Sequence, residues 1–245
     1  MTIALLDKDD PPDAFPDPAT ASEDPEGLLA VGGDLSTARL LAAYRRGIFP
    51  WYEDGQPILW WCPHPRAVLV PDRLRISRSL RRRLRSDCFH VSVDLAFRDV
   101  IEACARSRWA TGTWITEEMQ AAYLELHALG HAHSIETWRG TELVGGLYGL
   151  GIGAMFFGES MFSRETDASK VALVKLARLA ATRGIELIDC QVATAHLTSL
   201  GSELRPRGEF VTEVARLCGI TPRAGSWREG PGSTSTLVPE DPLHG

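Results

Sequence analysis

The segment LIDCQV at 187–192 carries the side chains of this sequence best suited to bond making and breaking. Read as a strand, it puts Asp189 and Gln191 on one side and Cys190 on the other. A carboxylate there can take a proton or orient a neighbour, and a carboxamide can bond an amine or a carbonyl. The plainer possibility is that Asp189 only caps the next loop. Cys190 reads as core, because no histidine is spaced to keep its thiolate populated. Glu159, in FFGESMFS at 156–163, lies between apolar residues. Burying that carboxylate is costly without a partner, which is either an amine-bearing ligand or a structural donor.

Aromatic rings gather at two further places. GIFPWY at 47–52 runs on to LWWCP, placing Phe49, Trp51, Trp60 and Trp61 close together between prolines. Rings on stiff loops make flat walls for a base or an apolar side chain, and they equally make a core between two blocks. GTWIT at 112–116 puts Trp114 just before a helix, as a pocket wall or as a hydrophobic staple. His131 and His133 would share one face of a strand, but no further ligands are spaced for a metal. Hydrogen-bonding roles suit them better, and neither a metal nor an organic cofactor is expected.

The elements that must position these groups follow from local pattern. Ser36 caps a helix over 36–46 that Gly47 ends. Residues 58–70 read as two extended pieces broken by prolines. A helix at 76–85, strand HVSVD and helix LAFRDVIEACARS come next. Thr116 caps the helix that Gly130 stops. AHSIETWRG, TELVGGLYGLGIG and AMFFGESMFS read as strands, the first two joined by a hairpin at RGTE. The helix DASKVALVKLARLAATRG starts near Asp167 or Ser169 and feeds strand IELIDCQV. This order predicts an α/β fold with a sheet of mixed direction. The division expected is a small N-terminal domain over 1–64 with an irregular acidic arm, a catalytic domain over 65–221 and a mobile tail over 222–245.

Composition narrows the class. Of 245 residues, 44% are hydrophobic and 24% charged, as in soluble globular enzymes. No apolar run approaches the roughly 20 residues of a membrane span. The start of the chain lacks the basic stretch of a signal peptide. Five dispersed cysteines, without CxxC spacing, suit a reducing cytoplasm. The net charge of −6 is unevenly spread. Residues 7–26 hold eight acids and one lysine, whereas residues 73–85 hold seven arginines and no acid. Arg78, Arg81, Arg82, Arg83 and Arg85 are therefore candidates for phosphate contacts, or else form a solvated face.

GLLAVGGDLSTARLLAAYRRGIFPW, ILWWCPHPRAVL, GTWIT, LHALGHAHSIE, LVGGLYG, FFGESMFS, ASKVALV and LIDCQV, in that order, resemble the leucyl/phenylalanyl-tRNA–protein transferase family over roughly residues 15–205. The resemblance implies a GNAT-like acyltransferase domain behind a small N-terminal domain. It implies leucyl- or phenylalanyl-tRNA as donor, proteins beginning with Arg or Lys as acceptors, and a product marked for N-degron degradation. On the matching positions Asp189 and Gln191 would be the catalytic pair. Tyr44, Trp51, Trp114, Tyr123, Phe156 and Glu159 would lie in or beside the substrate pocket. Met161, Ile188 and Leu147 would form its apolar wall, with Leu147 where a methionine would be usual. The donor ester is already activated, so positioning and charge stabilisation would be the main tasks. Asp189 would either polarise Gln191 or take the amine's proton, and Asp189→Ala should abolish most transfer in a folded protein. Two other readings are an acyl-CoA transferase, which SRETDAS disfavours by lacking a glycine-rich pyrophosphate loop, and a non-catalytic tRNA-binding module.

Overall fold

Short hydroxyl side chains open several of the helices. In the computed structural model, which describes residues 3–107 and 114–238, Ser36 Oγ accepts the Arg39 amide at the start of α1 (Thr37–Tyr44). Ser77 does the same for α2 (Arg78–Arg85), and Thr116 for α4 (Glu117–Ala128). Each bond satisfies an amide that the first helical turn leaves unpaired. Between α2 and α4 lies α3 (Phe97–Ser107). Asp167 precedes α5 (Ala168–Arg183) in a left-handed conformation without a capping side-chain bond, and its carboxylate instead takes Lys170 Nζ at 2.8 Å. The short α6 (Ala195–Ser199) and the longer α7 (Arg207–Cys218) complete the set.

Two sheets carry the strands. Strands β1 (Ala4–Leu6), β2 (Leu28–Gly32), β3 (Phe49–Pro50) and β4 (Leu59–Trp61) form a small sheet in the order β1-β2-β4-β3. The large sheet contains β5 (Arg66–Leu69), β6 (His90–Val93), β7 (Ala132–Arg139), β8 (Glu142–Ile152), β9 (Met155–Ser163), β10 (Leu187–Gln191), β11 (Glu203–Arg205) and β12 (Glu229–Ser233). Its order is β11-β5-β10-β9-β8-β7-β6-β12. The mixed-direction sheet follows from one parallel pairing, β9 with β10, beside antiparallel neighbours.

Apolar periodicity covers both faces of the large sheet. Helices α2 and α5 close one face, where Leu80, Leu84, Val171, Val174 and Leu179 are buried. Helices α1, α3, α4 and α7 lie over the other, with Leu40, Ile101, Leu126 and Val214. Each such side chain contributes roughly 1.5–3 kcal/mol by leaving water. Gly145 shows how closely α5 approaches: a Cβ there would stand 2.5 Å from Ala168 Cβ.

The described residues toward each end of the chain are held in place. The guanidinium of Arg39 donates to the carbonyls of Asp7, Lys8, Asp10 and Pro11, and that of Arg46 to those of Asp13, Phe15 and Pro16. The acidic arm is largely irregular yet pinned. The expectation of a mobile tail from 222 is corrected for residues up to 238. Glycine and proline there do not prevent pairing, because an edge strand needs only some of its backbone groups. Thus β12 pairs with β6 across a bulge, and Glu229 meets Lys175 Nζ at 2.6 Å. Trp227 stacks on His133 at 4.0 Å, and Asp87 Oδ1 accepts from Ser233 Oγ and the Thr234 amide. Residues 239–245 of the expected tail lie outside the described residues.

Candidate active site

The site forms where two parallel strands stop pairing. β9 and β10 are in register as far as Phe157 and Asp189. Just beyond, Gln191 ends β10 while Glu159 lies midway along β9, so the two face each other where the strands separate, the kind of place where α/β sheets commonly open a binding crevice. β10 also bulges against β5 between Asp189 and Gln191. Gln191 adopts φ 62°, a left-handed conformation that a non-glycine residue holds only when its surroundings impose it.

Those surroundings form a continuous hydrogen-bonded chain. The Gln191 backbone amide donates to Asp189 Oδ1 at 2.9 Å. Arg66 donates to both carboxylate oxygens, Nε to Oδ1 at 2.8 Å and Nη2 to Oδ2 at 2.7 Å, and neither side chain is solvent-exposed. Gln191 Nε2 donates to Glu159 Oε1 at 3.0 Å. Glu159 also accepts Tyr44 OH at 2.7 Å and Tyr123 OH at 2.9 Å, and the two phenols touch one another. Helices α1 and α4 each supply one of these tyrosines, so the carboxylate is reached from the side opposite α5.

Burial sets the electrostatics. It raises the Glu159 carboxyl to about 7, with the nearby Asp189 charge adding to the rise and the tyrosine hydroxyls and Arg66 opposing it. Burial, followed by the Glu159 charge, pushes the Tyr44 and Tyr123 phenols well above their ordinary value. Burial alone would weaken the Arg66 proton, but the Asp189 charge and hydrogen bond hold that guanidinium above its usual range. Burial also pushes the Cys190 thiol up to about 12, so it is no nucleophile near neutrality.

A cavity of about 440 Å³ adjoins this chain. One wall is aliphatic, made by Leu147, Met161, Leu173, Leu176 and Ile188. Another is aromatic, made by Phe49, Trp51, Trp61, Trp114 and Tyr148. Glu159, Asp189, Cys190 and Gln191 border it, as do Thr194 and His196 from the α6 end. Trp51 is half exposed and meets Trp61 edge-on at 5.7 Å, while Trp61 Nε1 donates to the Trp51 carbonyl at 2.6 Å.

Most residues singled out in the sequence converge here. Asp189, Gln191, Glu159, Trp51, Trp114, Met161, Leu147 and Ile188 all border the cavity. Tyr44 and Tyr123 stand behind Glu159. Phe156 is fully buried on the α5 side, tilted against Trp227 with centroids 6.0 Å apart, in the same packed cluster as the wall residues Leu147, Leu173, Leu176 and Ile188. Gly112 and Thr113 of GTWIT lie outside the described residues. His133 instead bonds Asp94 through Nδ1 at 2.7 Å. Among the described residues no cluster of His, Cys, Asp and Glu could hold a metal ion. Pattern reading missed Arg66, Leu173, Leu176 and His196. Arg66 did leave a signal, since PHPRAVL sets a cation inside an apolar strand, where a charge must find a counter-ion.

Comparison with known proteins decides the family. The family model described as leucyl/phenylalanyl-tRNA protein transferase matches residues 68–215, and the model for that family's N-terminal domain matches residues 33–64. The chain belongs to this family. A leucyl/phenylalanyl-tRNA–protein transferase of Aromatoleum aromaticum is 59% identical over 214 residues, covering 87% of this chain and 90% of its own. Another, of Methylococcus capsulatus, is 53% identical over 231 residues, covering 94% and 98%. Among solved structures, a GCN5-related N-acetyltransferase-like protein from Streptococcus suis is similar with a TM-score of 0.33 and 16% identity, over 69% of this chain and 65% of that one. Membership makes the chain an aminoacyltransferase. In this transferase, α2 displays Arg78, Arg82 and Arg85 at the surface, with Arg81 and Arg83 half-buried. Arg83 lies over the Phe89 ring and reaches Cys88 Sγ at 3.7 Å.

Proposed function

We propose that this chain moves leucine or phenylalanine from aminoacyl-tRNA to the N-terminal arginine or lysine of acceptor proteins, in the cytoplasm, giving a product marked for N-degron degradation. The observation that carries the reading is the apolar cavity of about 440 Å³ bordered on one side by the Asp189–Gln191–Glu159 chain. An aliphatic and aromatic lining suits a leucyl or phenylalanyl side chain, and one methylene discriminates by about 1–3 kcal/mol. The free cysteines are consistent with a reducing compartment. No helix of the described residues is long and apolar enough to cross a membrane.

The reaction is direct aminolysis. The acceptor's neutral α-amine attacks the ester carbonyl, a C–N bond forms, the bond to the ribose oxygen breaks, and the amine's proton ends on that oxygen. Asp189 orients Gln191 and does not itself take the proton, since both its oxygens are occupied by Arg66. With its amide nitrogen committed to Glu159, Gln191 offers its carboxamide oxygen to the amine. Glu159 supplies the negative field that favours a basic acceptor. Transfer of labelled leucine from tRNA to a peptide beginning with arginine tests this directly. Equal transfer to arginine- and aspartate-initiated peptides, or none to either, would refute it.

The arginines of α2 would hold the tRNA backbone. Each phosphate contact releases counter-ions, so log K should fall steeply with log salt. Replacing Arg78, Arg82 and Arg85 together with glutamine is expected to flatten that slope by about 2–3. Titration of labelled tRNA at several salt concentrations measures it, and an unaltered slope would make α2 a solvated face only.

A further inference from the structure

We propose that Arg66 is the positioning residue of the transfer step, acting through Asp189 on Gln191; this rests on the reading above. Three features of Arg66 exceed what a structural ion pair needs. Its guanidinium lies against two rings from different parts of the fold: Cζ is 4.6 Å from the Phe49 centroid and 4.7 Å from that of Phe210. Phe49 belongs to β3 of the small sheet and Phe210 to α7, so two separate elements pack against the cation. Its fork meets Asp189 with two donors, Nε and Nη2, while Nη1 is buried without a hydrogen-bond partner. A pair that served stability alone would be better replaced by apolar side chains than left with an orphaned donor. Finally, the oxygen that Arg66 Nε holds, Asp189 Oδ1, is the one that accepts the Gln191 amide.

The consequence is geometric. The planar fork fixes the carboxylate, the carboxylate fixes the Gln191 amide, and that bond maintains the left-handed backbone at 191. Only then does the carboxamide reach Glu159 across the mouth of the strand split. Lysine would supply charge but neither the two-pronged contact nor the planar group that lies against the Phe49 and Phe210 rings. Without the fork, Asp189 becomes a buried acid free to rotate or to take up a proton. Gln191 then relaxes toward an ordinary extended backbone and its side chain leaves the amine site.

The test uses the full chain, aminoacyl-tRNA and a peptide beginning with arginine, with the unaltered protein in parallel. Failure of the unaltered protein to transfer would sink the function proposed above; everything below is read only against a working enzyme. Arg66→Lys, folded by circular dichroism, should lose about tenfold to a hundredfold in kcat, on the scale of an ångström-sized misplacement, with KM for aminoacyl-tRNA changed by less than about threefold. Arg66→Ala should recover part of its kcat in millimolar guanidinium and none in potassium of equal ionic strength. A folded Arg66→Lys with kcat within twofold of the unaltered enzyme overturns the proposal. So does guanidinium that restores the thermal midpoint of Arg66→Ala without its kcat. If Arg66→Ala does not fold, the kcat and KM of Arg66→Lys decide.

Discussion

Asp189→Ala is expected to cost about 3–5 kcal/mol of folding stability and to lower transfer at least about a hundredfold. Both losses have one cause. The carboxylate is wholly buried and neutralises Arg66, so truncation leaves a cation buried against Phe49 and Phe210 with no counter-charge. It also removes the acceptor that holds the Gln191 amide. The sequence alone suggests a variant that stays folded and merely loses activity; full burial of the pair makes stability part of the phenotype. Denaturant unfolding gives the first loss, and single-turnover transfer by the folded fraction gives the second. A variant as stable as the parent would mean that Arg66 finds another partner. Intact transfer by Asp189→Ala would remove Asp189 from the mechanism.

Glu159→Gln is expected to change the pH response of both activity and stability. The folded carboxyl titrates at about 7, above its ordinary 4.5, chiefly because it is buried. Folding therefore favours the protonated form. Its contribution to stability is fully present below pH 4.5 and is lost as pH rises through 4.5 toward 7. The glutamine variant should lack this decline and be more stable than the parent above pH 7. Activity runs the other way. Ionised Glu159 accepts from Tyr44, Tyr123 and Gln191 together, whereas the protonated acid brings a hydrogen of its own into the crowded ring of donors. Transfer by the parent should rise through about pH 7. The variant should be at least about tenfold slower and show only the titration of the acceptor amine near 8. pH–rate and pH–melting profiles of the two proteins check this. A step at pH 7 that survives in Glu159→Gln would have to be assigned to another group.

Hydrophobic spacing, helix caps and turn glycines are local signals, and they suffice for the succession of elements in this chain. Ser36 and Thr116 cap the helices they precede, and the segments holding LIDCQ and FFGESMFS are strands that carry Asp189 and Glu159. The kinds of chemistry available were also readable, because residue type alone says what can donate, accept or carry charge. Partnership was not. Arg66 and Asp189 are 123 positions apart, and they meet because β5 neighbours β10 in the sheet order. Tyr44 and Tyr123 converge on Glu159 from two helices whose packing no short pattern encodes. The glycine-rich segment at 229–233 paired with β6 for a similar reason. Which side chain faces which depends on strand register and layer packing, set by burying apolar surface across the whole chain and not by the neighbours of any one residue.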